Sequence, residues 1–94
     1  MFDRVKKMCG ISQNVTVYDE EIEIYLEDCL RDMKASGVPE KLLAKTECNP
    51  GTVIAAAMYV KAYLGNDRTD TEKYLELYRK RVFRLTLEGD EDVE

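Results

Sequence analysis

Ninety-four residues with 45% hydrophobic side chains predict a single small domain, since no Gly/Ser-rich or Pro-rich linker divides the chain. The formal net charge is −5, yet Glu88 to Glu94 (EGDEDVE) holds five carboxylates and no base, so residues 1–87 carry fourteen charges of each sign and balance. Histidine is absent, which removes the usual general base near neutral pH and the commonest metal ligand. Cys9, Cys29 and Cys48 are odd in number, far apart and without a CxxC pair, so neither a disulfide framework nor a thiolate metal site is expected. With no signal or transit sequence recognised, synthesis in a reducing cytoplasm is the expectation.

Phe2 to Met8 reads as a short amphipathic helix, with Phe2, Val5 and Met8 at a spacing of three, Lys6 and Lys7 outward, and Gly10 as its stop. A polar loop containing Ser12, Asn14 and Thr16 follows, and NVTVY at Asn14 to Tyr18 is the one stretch with weak strand-like alternation. A second helix is predicted over about 19–36. Its DEEIE start sets carboxylates at the positive end of the helix dipole. Ile22, Leu26, Cys29 and Met33, flanked by Tyr25 and Leu30, form its core stripe, and Gly37 and Pro39 end it. EKLLAKTE, residues 40–47, supports one or two helical turns anchored by Leu42 and Leu43.

The segment NPGTVIAAAMYVKAYLG dominates the pattern, because eleven of the twelve residues from Val53 to Leu64 are apolar. A helix apolar on every side must be covered on every side. Asn49 is its expected N-cap, Pro50 its first residue, and Gly65 with Asn66 its end. At about 22 Å it is short of a membrane span. It is therefore a central core helix over 50–64. Asp70 or Thr71 caps a last helix reaching about residue 87, with Tyr74, Leu75, Tyr78, Val82 and Leu85 inward. The fold class is all-α: a bundle of three main helices (about 19–36, 50–64 and 70–87) plus a short N-terminal helix (about 2–8). Residues 1–87 form the domain, and 88–94 an acidic, disordered tail.

No catalytic, cofactor-binding or metal residues are assigned, and an enzyme is not expected. The pairs Glu23/Glu27 and Asp28/Asp32 have the spacing that bridges a metal in a bundle core, but they point away from the apolar stripe and read as a solvated face. GISQN and GNDRT lack the spacing and the lysine of a phosphate loop. Arg79, Lys80, Arg81 and Arg84 place four positive charges within six residues. The acidic run that follows weakens any attraction to nucleic-acid phosphate, so an acidic protein surface is the better partner. Ile24, Phe83 and Leu87 fall off the core stripes of their helices and are interface candidates. A homo-oligomer or docking module is the expected class.

The order of segments FDRVKKMCGI, YDEEIEIYLEDCLRDMKASGV, NPGTVIAAAMYVKAYLG and EKYLELYRKRVFRLTLEGD resembles the small head-tail connector proteins of tailed bacteriophages and prophages, over about residues 2–90. Where relatives often continue LTLEGD to a tyrosine, this chain has Glu91. The resemblance implies a structural protein of the virion head-tail junction that forms a ring, twelvefold like the portal, beneath the filled capsid and extends the DNA channel toward the tail. The implied partners are copies of itself, the portal protein and the next head-completion or tail protein. DNA would pass through without sequence-specific binding, and no membrane or cofactor is involved. On this reading Ile24 and the acidic start of the second helix meet Phe83, Leu87, Arg79, Lys80 and Arg84 of a neighbour, while Glu23, Glu27 and Asp28 or the tail give the channel a negative wall. The alternatives are a small helical docking or adaptor protein, antitoxin-like or host-partner-binding, and a DNA-binding regulator supported only by the SGVPE turn.

Overall fold

A computed structural model describes residues 1–46, 48–64 and 70–91, with backbone alone for 89–91. Four α-helices, α1 (Phe2–Met8), α2 (Asp19–Ala35), α3 (Pro50–Leu64) and α4 (Thr71–Glu91), and a 3-10 turn at Glu40–Leu43 make up the regular structure, with no strand among the described residues. The all-α bundle of three long helices and one short one is the architecture that the periodicity predicts. NVTVY is loop, with Val15, Val17 and Tyr18 exposed.

Helix α3 is the hub. It packs against α1, α2 and α4, and Val53, Ala55, Ala56, Ala57, Val60 and Ala62 are buried. Three consecutive alanines let neighbouring helices approach closely, because their side chains end at Cβ. Each partner brings one stripe to it: Val5 from α1; Ile22, Leu26, Cys29, Leu30 and Met33 from α2; Tyr78, Val82 and Leu85 from α4. Coverage is not complete, since Tyr63 is exposed and Ile54 and Met58 are half-buried.

The helix ends follow local chemistry. Asn49 caps α3 as predicted, its Oδ1 accepting from the backbone N–H of Gly51 at 2.9 Å and of Thr52 at 3.2 Å. Buried Thr52 donates its hydroxyl to the Leu42 carbonyl at 2.7 Å, which fastens the 3-10 turn to the start of α3. Gly10 (φ +78) and Gly37 (φ +101) stop α1 and α2 in the left-handed region. Gly37 N–H donates to Lys34 O at 3.1 Å and Val38 N–H to Met33 O at 3.0 Å, a Schellman end in which Val38 is buried. Gly10 and Ile11 repeat the same pair of bonds onto Lys7 and Lys6. The Thr71 hydroxyl donates to Ala62 O at 2.9 Å, so the first residue of α4 also satisfies a carbonyl near the end of α3. The expected end of α3 at Gly65 and Asn66 lies outside the described residues.

Two details differ from expectation. Helix α4 continues to Glu91 instead of ending near 87, Gly89 remaining helical in its backbone. No proline or left-handed residue intervenes to stop it. Lys6, expected outward, is 2% exposed: its Nζ lies 2.8 Å from Asp19 Oδ1 and donates to Gln13 O at 3.2 Å, which joins α1 to the start of α2. A buried lysine is tolerable only when paired in this way. Lys7 is exposed as predicted.

Gly10→Ala and Gly37→Ala are each expected to cost about 1–2 kcal/mol, because an L-residue is strained at these φ values while an added methyl meets nothing within 4 Å at Gly10 and only Thr86 Cγ2 at 3.9 Å at Gly37. Thermal melts should fall by roughly 4–8 °C per kcal/mol. An unchanged midpoint for both variants would contradict the assigned helix ends.

Candidate functional site

The surfaces that can meet other proteins are held in place by a polar seam between α2, α3 and α4. Tyr59 and Tyr63 stand one turn apart on α3. Tyr25 stacks on Tyr63 with ring centroids 5.7 Å apart, Tyr63 meets Tyr59 at 5.0 Å, and Tyr59 meets Tyr78 of α4 at 5.0 Å. The two buried rings of this ladder, Tyr59 and Tyr78, each find a carboxylate on α2. Tyr59 donates its phenol hydrogen to Asp28 Oδ2, and Tyr78 donates to Asp32 Oδ2 at 2.7 Å. Hydrogen bonds to a charged acceptor contribute about 1.5–3 kcal/mol each when desolvated, and toward the low end here because both aspartates are exposed. Burial, and then the bond to Asp28, holds the Tyr59 phenol well above its ordinary pKa. Burial, then the adjacent Cys29 and Asp32, does the same for Tyr78. Cys29, buried as the stripe predicts, has its thiol pushed up to about 12, chiefly by burial. Cys29 is therefore a core residue and no nucleophile at neutral pH.

Outside this seam lie two open grooves of opposite character. On α2, Glu20, Glu23, Ile24, Glu27, Asp28 and Arg31 line an acidic groove with Ile24 59% exposed among the charges. On α4, Arg79, Lys80, Phe83, Arg84 and Leu87 line a basic groove with Phe83 64% and Leu87 48% exposed. All nine candidates from the sequence thus fall in one groove or the other. Arg81 is half-buried and lines neither. Two of the expected channel-facing acids are engaged within the chain: Glu27 pairs with Lys45, and Asp28 accepts from Tyr59. Lys80 is 3.7 Å from Glu76, an exposed pair of little energetic weight.

The grooves are offset along the bundle. Tyr25 sits beside Tyr63, near the end of α3, whereas Leu85 sits beside Gly51, near its start. Ile24 and Phe83 are therefore about ten residues of α3 apart in height, roughly 15 Å at 1.5 Å per residue. Sequence reasoning found the two faces by period but gave no sign of this offset, which depends on helix pairing. It also missed the tyrosine ladder and its acceptors, because Asp28 meets Tyr59 and Asp32 meets Tyr78 only once α2, α3 and α4 are packed together.

The described residues form an all-helical scaffold in which the Tyr59 and Tyr78 phenols are tied to carboxylates of α2, with oppositely charged grooves that hold exposed apolar side chains on the outer faces. The model of the phage connector protein family matches residues 1–92, and the chain belongs to that family, the head-tail connectors of tailed bacteriophages. Neither a curated protein nor a solved structure matches the chain. No helix among the described residues is long and apolar enough to cross a membrane.

The raised pKa values have a definite sign for stability. Groups whose folded pKa is raised contribute fully below their unfolded pKa and lose that contribution as pH rises toward the folded value. For Cys29 the window runs from 9.0 to about 12. Urea midpoints are expected to stay level from pH 7 to 9 and to fall progressively at pH 10 and 11. The slope should be shallower in Cys29→Ala with Tyr78→Phe. An identical slope in that variant would show that these groups are not held neutral by the fold.

Proposed function

We propose that this connector subunit assembles as a ring beneath the portal, with the portal's twelvefold symmetry, and extends the DNA channel toward the tail after packaging. The observation that carries this reading is the pair of unlike grooves on one small family member. A closed ring needs two different patches per subunit, one meeting the other on the next copy. Here the α4 groove, with Arg79, Lys80, Phe83, Arg84 and Leu87, is the basic-apolar edge that meets a neighbour or the portal, and Ile24 is the apolar contact of the α2 groove. Because the two grooves differ in height, neighbours that join α2 to α4 must be staggered by that offset, or the α4 edge meets the portal instead.

The acidic groove suits a channel wall. Glu23, Glu27 and Asp28 present negative charge, and a wall of the same sign as DNA lets the duplex slide without adhering. The neutral Tyr59 phenol holds Asp28 in place with its charge at the surface, while the Lys45 ammonium fixes Glu27 and offsets its charge. The role is mechanical and requires no bond-making step. The next head-completion or tail protein would occupy the free end of the ring, at the head-tail junction of the virion.

The test is sedimentation velocity with negative-stain imaging, on the chain alone and with purified portal. Rings of about a dozen copies, alone or on the portal, are the expected result. Lys80→Glu with Arg84→Glu should weaken that association about tenfold or more at low salt and less at high salt. A chain that stays monomeric and never binds portal would contradict the reading.

A further inference from the structure

A third surface lies outside both grooves. Arg4, Lys7 and Met8 of α1 and Pro50, Val53 and Ile54 of α3 line an open, mainly apolar groove, with Met8 41% exposed. Of the three cations on α1, Lys6 is committed to Asp19, while Arg4 and Lys7 are exposed and have no ion-pair partner among the described residues. The groove thus offers an apolar floor with two uncompensated positive charges on its wall.

The tip of α4 has the complementary chemistry. It carries exposed Leu87 and Glu88, then Asp90 and Glu91 in sequence, and has no basic residue in its last turn. Carboxylates at a helix C-terminus face the negative end of the helix dipole, an unfavourable placement that a cation from elsewhere relieves. The heights also agree. A methyl on Gly51 would lie 3.4 Å from Leu85 Cδ2, so the α4 tip and the start of α3 occupy the same end of the bundle. Helices α1 and α4 both pack on α3 with little contact to one another. Helix α4 stays helical in its backbone through Glu91.

We infer that the α4 tip of one copy, Leu87 with the carboxylate of Glu88, seats in the Arg4–Lys7–Met8–Ile54 groove of a second copy. This rests on the ring reading and names a subunit contact for it. Unlike an α2-to-α4 pairing, it joins patches at the same end of the bundle. It leaves Arg79, Lys80 and Arg84 available to the portal and the acidic α2 groove available to the channel.

The test uses two charge-reversed chains, Arg4→Glu with Lys7→Glu, and Glu88→Lys with Glu91→Lys, followed by native mass spectrometry and sedimentation at low salt. Arg4, Lys7 and Glu88 are exposed, and lysines at the C-terminus of α4 favour the helix, so circular dichroism should match the parent chain. Each variant alone should need roughly tenfold or more higher concentration to associate, a change of about 1.4 kcal/mol. An equimolar mixture should recover association to within about threefold of the parent, through assemblies in which the two variants alternate, since every groove then faces a tip of opposite sign. Rings that form equally well in each variant alone, or a mixture that does not recover, would overturn this contact while leaving the connector reading in place. A parent chain that forms no oligomer alone or on the portal would overturn both.

Discussion

Helix α3 sets the terms for everything around it. From Val53 to Leu64 it presents a single charge, Lys61, and a helix of that composition is stable only where other chain covers it. In a chain of 94 residues the cover has to come from every remaining element at once. Helices α1, α2 and α4 each contribute one apolar stripe inward, which leaves each of them an outer face that the core does not use. Those outer faces are where the charges and the few exposed apolar side chains sit. These charged, partly apolar outer faces are in this sense a by-product of how the core is built.

The boundary between core and surface is polar but satisfied. Tyr59 and Tyr78 keep their rings in the core and direct their hydroxyls to Asp28 and Asp32, so the inner edge of the acidic α2 face is fixed by neutral donors. The Glu27–Lys45 pair and the Thr52–Leu42 bond fasten the connection between α2 and α3, and the Lys6–Asp19 pair fastens α1 to α2. A connector subunit that must keep its shape while partners press on it benefits from such cross-links, because small-domain cores alone supply only a few kcal/mol.

Much of this was legible from the sequence because it depends on local chemistry. Asn49 before Pro50, Gly10 and Gly37 after their helices, and the three- and four-residue apolar steps in α2 and α4 specify ends and faces without reference to tertiary structure. Ile24, Phe83 and Leu87 were identifiable as outward for the same reason. What was not legible depends on pairing between elements. Lys6 reads as an outward charge until Asp19 is brought to it. Asp28 reads as a solvated carboxylate and is exposed, but nothing local signals that Tyr59 reaches it across the α2–α3 interface. The groove between α1 and α3 joins residues 4–8 to residues 50–54, which no periodicity connects, and the 15 Å offset between the α2 and α4 grooves follows only from the antiparallel packing of both helices on α3.

Hydrogen exchange followed by mass spectrometry, on the free chain and on the chain assembled with portal, tests the division of labour most directly. The account predicts that amides of α3 exchange slowest in the free chain and change little on assembly, while new protection appears on the outer elements, α4 from about residue 79 onward and the exposed turns of α1 and α2. Fast exchange in α3 of the free chain, or protection gained mainly in α3 on assembly, would contradict it, because the scaffold would then be forming only when the partners arrive.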